Sequence, residues 1–175
     1  KHMHENRILI HKLKNFENIN SNFLIITLML FGSILLAISA KVQVPFWPVP
    51  MTMQTFVIFL IGMTYSVRLS FATVAFYLFQ GAIGLPVFAA GGGVAYLVGP
   101  TAGYLYGMLF ASIVISYLAN LGFSKTYFKA TVSLLIGSAI IFSFGIIYLG
   151  YIIGFEKAVV AGLLPFIPSE LFKIA

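Results

Sequence analysis

The chain contains no cysteine and no aspartate, and only 8% of its residues are charged. Without thiols it can build no disulfide framework, no thiolate nucleophile and no zinc or iron–sulfur site held by sulfur. Its three histidines, His2, His4 and His11, all precede the first apolar run. With no aspartate and no Gly-x-Ser-x-Gly, the apolar segments offer neither a Ser-His-Asp arrangement nor a metal centre. The sequence therefore speaks against an intramembrane enzyme and calls for no cofactor. Lysine and arginine number 10 against 4 glutamates, giving a net charge of +6. In a soluble protein that balance would suggest nucleic acid. Here the cations flank apolar runs, which fits anionic lipid and membrane topology instead.

What is present is apolar: 61% of the residues are hydrophobic and the mean hydropathy is +1.04. This composition marks an all-α integral membrane protein, and 175 residues suit one domain of roughly six helices, each able to cross about 30 Å of hydrocarbon. Lys1 and His2 read as remnants of a cloning site ahead of Met3. The stretch from Arg7 to Asn22 is basic, with a short apolar face from Ile8, Leu9, Ile10 and Leu13, and is expected to lie on the membrane surface. Residues 1–22 are thus expected to be cloning remnants and a basic, interfacial N-terminal segment, and 23–175 the transmembrane domain. No small-residue cleavage pattern follows the first apolar run, so that run is expected to stay as an anchor.

Apolar runs and their Pro and Gly punctuation predict helices over Phe23–Ala40, Met51–Tyr65, Leu69–Phe79, Tyr104–Leu121 and Thr131–Tyr151. A sixth is expected to start near Ser169, after Pro165 and Pro168, and to be cut short at Ala175. Arg7, Lys12, Lys14, Arg68, Lys125 and Lys129 then fall on the N-terminal side of the membrane, against Lys41 and Lys157 on the other. That bias predicts a cytoplasmic N-terminus and outward-facing first, third and fifth connections.

Those outward connections are rich in Pro, Gly and aromatics. The first, Val44 to Phe56, carries three prolines that fix an extended path. Trp47, the single tryptophan, suits an interfacial anchor as well as a pocket wall. Gln54 and Thr55 offer donors and acceptors to a solute, and serve equally for helix capping and contacts. The third connection, from Gly81 to Tyr104, holds seven of the 16 glycines, with Gly91, Gly92 and Gly93 consecutive. It contains no P-loop pattern and no basic residue. A lid, a backbone surface for an uncharged ring and a loop kept small for packing all remain open for it.

The fifth connection delivers Glu170 and Lys173, one helical turn apart on one face. Ser169 is expected to cap that helix, with Glu170 in its first turn where the dipole favours an anion. An interfacial ion pair with Lys173 reaching for water is one reading. The other is solute recognition: a carboxylate accepts N–H donors while an ammonium holds an acid.

Four motifs together resemble the BioY family, the biotin-specific S components of energy-coupling-factor (ECF) vitamin transporters. They are Pro48-Val49-Pro50-Met51-Thr52-Met53-Gln54-Thr55-Phe56, Gly84-Leu85-Pro86-Val87-Phe88 with the glycine run, Gly99-Pro100-Thr101-Ala102-Gly103-Tyr104-Leu105, and Pro165-Phe166-Ile167-Pro168-Ser169-Glu170-Leu171-Phe172-Lys173. The resemblance implies a six-helix S-component fold, an outward pocket for biotin, and uptake across the cell membrane driven by two ATPase subunits through a transmembrane coupling subunit. The site residues so implied are Glu170, Lys173, Tyr104, Phe88, Gly92, Gly93, Gln54, Trp47 and Phe46, with Ser33-x-x-x-Ala37 facing the coupling subunit. Ser169 and Glu170 stand where the family usually has Gly and Asp, and Ala102 where it has Gly. The competing readings are an S component for another vitamin, a solitary carrier working without ATPases, and an assembly subunit with glycines such as Gly150 and Gly154 at its interfaces.

Overall fold

Among the described residues, six segments are helical where apolar runs predicted them, and a further short helix sits in the fifth connection. The computed structural model describes residues 21–44, 51–89, 91–123 and 125–174. Helix α1 spans Ser21–Lys41, about 31 Å at 1.5 Å per residue. Lys41 sits in its last turn, where the helix dipole favours a cation. The chain then forms strand β1, Gln43–Val44, antiparallel to strand β2, Met51–Thr52, with Gln43 opposite Thr52. This two-residue ladder draws the end of α1 beside the start of α2 (Gln54–Thr64). Phe46 and Trp47 lie outside the described residues.

Helix α3, Val67–Ala82, is capped by the Ser66 side chain, which accepts from the Leu69 N–H. A 3₁₀ turn at Val94–Val98 leads to α4, Ala102–Leu118. A π-helical turn at Ala119–Phe123 follows, containing Gly122 at φ +96°. Helix α5, Tyr127–Ile153, is capped by Thr126 and ended by Gly154 at φ +94°. Helix α6, Phe155–Gly162, a 3₁₀ turn at Leu164–Phe166 and α7, Ile167–Ile174, follow. Ser169 was expected to precede the last helix, yet that helix starts two residues earlier. Pro168 is tolerated in its first turn, where an N–H has no intrahelical acceptor.

Among the described residues, Asn22–Lys41, Ala102–Phe123 and Tyr127–Ile153 are long and apolar enough to cross a membrane. Arg68, Lys125 and Lys129, all exposed, flank the turns at one end of the bundle, while Lys41 marks the other. Small residues let α4 and α5 approach closely: a Cβ on Gly107 would come within 2.8 Å of the Ile141 Cα, and one on Gly137 within 2.5 Å of Ile115. Such close backbones let dispersion hold helices together where lipid removes most of the hydrophobic drive. The core contains Leu36, Ile58, Tyr77, Phe88, Ile115, Ile141 and Leu149, each fully buried. Phe23, Ile34, Ile38, Phe128 and Ile147 face outward, as they must for lipid contact.

Ser33, expected to face a coupling subunit, points inward instead. It is 2% exposed and donates to Gln80 Oε1 at 2.5 Å. Ala37 is half-buried and packs against the core. The outer face of α1 is therefore built from large side chains rather than from this small pair.

Candidate solute-binding site

The site forms where the first and last connections meet. Strand β2 contributes Thr52, the start of α2 contributes Gln54 and Thr55, and α7 contributes Glu170 and Lys173; all five are buried. The i, i+3 spacing brings Lys173 Nζ to 2.9 Å from Glu170 Oε1. The ammonium also donates to the Thr52 carbonyl at 2.6 Å and to Thr55 Oγ1 at 2.9 Å. Its three N–H groups thus all have acceptors. Glu170 accepts from Thr55 Oγ1 at 2.7 Å on Oε1 and from Ser138 Oγ at 3.1 Å on Oε2. A buried ion pair survives in low dielectric only when its remaining valences are met in this way.

Next to the pair lies a cavity that is partly open to solvent. One wall is polar, from Thr52, Gln54, Thr55, Glu170 and Lys173. The opposite wall is apolar, from Leu105, Met108, Ile141, Phe142 and Phe166, with Tyr104, Tyr96, Thr101 and Ala89 closing the rest. The Tyr104 ring meets Phe142 edge-on at 5.8 Å. Its hydroxyl donates to the Gly162 carbonyl at 2.7 Å, which ties α6 to the cavity wall. A concave site, mostly apolar with a few convergent polar groups, is the usual form of a small-molecule pocket.

Of the residues singled out in the sequence, Glu170, Lys173, Tyr104, Gln54 and Thr55 come together on this cavity. The Gln54 amide is already engaged: Nε2 donates to the Tyr77 hydroxyl at 2.7 Å and Oε1 accepts from Thr52 Oγ1 at 3.0 Å. Phe88 is not in the wall. It is fully buried, edge-on to Tyr77 at 5.4 Å and tilted against Tyr96 at 4.8 Å, over the spot where Gly81 has no side chain. Gly92 and Gly93 are also outside the wall and shape the turn behind it. A Cβ on Gly92 would overlap the Leu85 carbonyl. Gly93, at φ +102°, sends its N–H to the Gly81 carbonyl at 2.5 Å. The segment is clamped from α1 and β1: Lys41 Nζ donates to the Phe88 carbonyl at 2.6 Å and Gln43 Nε2 to the Ala89 carbonyl at 3.0 Å.

Sequence reasoning missed Ser138, Tyr96, Phe142 and Phe166. A serine inside an apolar span is as often bonded to its own helix backbone, so nothing distinguished Ser138 from Ser133 or Ser143. The position of Phe166 between two prolines was the one available signal for that ring.

The sequence model of the BioY family matches residues 12–175. The chain belongs to the BioY family. The "Probable biotin transporter BioY" of Rickettsia prowazekii is 34% identical to it, over 95% of this chain and 86% of that protein. The "Biotin transporter BioY" of Thermotoga maritima is 37% identical, over 80% of this chain and 83% of that one. A crystal structure of the S-component for biotin from an ECF-type ABC transporter superposes with a TM-score of 0.78 at 25% identity. The match covers 90% of this chain and 88% of that one. BioY-family proteins are multi-pass membrane transport subunits rather than enzymes, and the helices described above form the S-component fold.

Proposed function

We propose that the protein captures biotin from the outer face of the cell membrane and mediates its uptake. In this reading its N-terminus lies in the cytoplasm, and two ATPase subunits supply energy through a transmembrane coupling subunit. The observation that carries it is the Glu170–Lys173 pair set against an apolar, aromatic-walled cavity. Biotin has N–H donors on a ureido ring, an apolar bicycle and a carboxylate, and each finds a complement here. Glu170 accepts the ureido N–H groups, Tyr104 and Phe142 flank the bicycle, and the flexible acyl chain folds back so that the acid meets Lys173, the contact partner of Glu170. Because all three Lys173 donors are engaged, the incoming carboxylate takes the place of Glu170 Oε1 on the ammonium, one carboxylate oxygen for another. Membership of the BioY family and the names of the relatives support the same ligand.

Calorimetric titration of ligand-stripped protein in detergent tests this, with dethiobiotin and biotin methyl ester as comparisons. Tight biotin binding, weakened by esterification, is the expected result. Folded protein that ignores biotin but binds another vitamin would refute the assignment. Uptake in cells lacking every partner ATPase would identify a solitary carrier.

A further inference from the structure

The ion pair has a third member. Thr55 Oγ1 donates to Glu170 Oε1 at 2.7 Å and accepts from Lys173 Nζ at 2.9 Å, while Lys173 and Glu170 Oε1 meet at 2.9 Å. The three atoms close a triangle, and Thr55 is 6% exposed. A carboxylate oxygen has two lone-pair directions. Oε1 therefore has both occupied, by Thr55 and Lys173, whereas Oε2 has one occupied, by Ser138 at 3.1 Å. The hydroxyl fixes the plane of the carboxylate. With no donor at residue 55, that plane is held only by Lys173 and Ser138 and can tilt about the last torsion of Glu170, which is a broad one, turning the open lone pair of Oε2 away from the cavity.

We infer that Thr55 is a positioning residue for ligand recognition: its hydroxyl holds the pair so that Glu170 Oε2 is the acceptor left open to the ligand's N–H. The choice of biotin as ligand rests on the function proposed above; the triangle itself does not. Thr55 is the one member that can bond to both charges at once, because a hydroxyl donates and accepts. Its place in the first turn of α2 fixes it to rigid backbone, so it also sets the distance of α7 from α2. As the ligand carboxylate displaces Glu170 from Lys173, Thr55 keeps a bond to each and preserves their alignment.

Two near-isosteric substitutions separate this role from packing. Thr55→Val keeps the shape and removes the hydroxyl, while Thr55→Ser keeps the hydroxyl and removes a methyl. The expected result is that Thr55→Val weakens biotin about tenfold or more, the loss usual for a bond to a charged group, and that Thr55→Ser recovers most of the affinity. A ligand-free arm measures melting temperature. Thr55→Val should lower it in the native background and much less in a Glu170→Gln/Lys173→Met background, where there is no charge to align. If Thr55→Val retains affinity and melting temperature while Thr55→Ser loses them, residue 55 is a packing residue and the inference is overturned. If native protein does not bind biotin, the proposed function fails on its own, and the melting-temperature cycle still decides the role of Thr55.

Discussion

Replacing Gly81 by alanine sets two effects of opposite sign against each other. Gly81 lies in the last turn of α3, where alanine gains up to about 1 kcal/mol of helix propensity over glycine. The added Cβ, however, would find three ring carbons of Phe88 within 2.6 Å, well inside any ordinary contact. A flexible side chain could swing away, but Phe88 is fully buried between Tyr77 and Tyr96, and Lys41 and Gln43 hold the carbonyls of its segment. Overpacking of this kind costs about 1–3 kcal/mol and should outweigh the propensity gain. The net is a loss of about 1–2 kcal/mol, or a fall in melting temperature of about 2–8 °C for a chain of this size. Because Ala89 and Tyr96 line the cavity, biotin affinity should fall with it. Thermal unfolding in detergent micelles provides the assay, with Phe88→Leu as second site. A smaller residue at 88 makes room for the methyl, so the double variant should be more stable than the two single losses added together. A Gly81→Ala protein that melts at or above the native temperature, with additive behaviour in the cycle, would show that the Phe88 ring is not locked.

Two further outcomes follow from the site. Lys173→Met leaves the Glu170 carboxylate buried without its cation and should destabilise by about 3–5 kcal/mol; adding Glu170→Gln should recover part of the melting temperature without restoring tight biotin binding, and a double variant less stable than Lys173→Met would contradict this. Lys41→Gln should loosen the clamp on the Phe88 carbonyl, so the Gly91 and Gly93 amides exchange hydrogen faster and biotin dissociates faster at unchanged melting temperature; unaltered exchange at both amides would show that the clamp carries no strength.

Much of the bundle was legible because apolar runs and their punctuation record where a helix can exist in lipid. The prediction for Phe23–Ala40 meets an observed Ser21–Lys41, and Thr131–Tyr151 meets Tyr127–Ile153. Helix α6 escaped notice because eight residues hold barely two turns and follow a glycine. The β1–β2 ladder is two residues a side, too short to show alternation. At the site, Glu170 and Lys173 were visible through spacing and rarity, since a charge in an apolar chain needs a reason. Thr55 was visible only as a possible donor or acceptor, and Ser138 not at all, because their bonds to the pair depend on long-range geometry. The inward turn of Ser33 was likewise hidden: its partner, Gln80, lies 47 residues away.

The triangle of Thr55, Glu170 and Lys173 joins residues 115 and 118 positions apart, which gives the molecule an order of assembly. A chain made from its N-terminus places α2 in the bilayer long before α7 emerges from the ribosome. Until then the hydroxyl and carbonyl at the head of α2 have no ammonium to receive. When α7 arrives, an ammonium alone in the membrane would cost about 2.5–3.5 kcal/mol on insertion scales, and α2 offers it a finished set of acceptors. Docking of α7 and completion of the pocket are therefore one event. A nascent chain stalled before Lys173 should insert its earlier helices yet hold no biotin, which makes ligand capture a reporter of α7 docking.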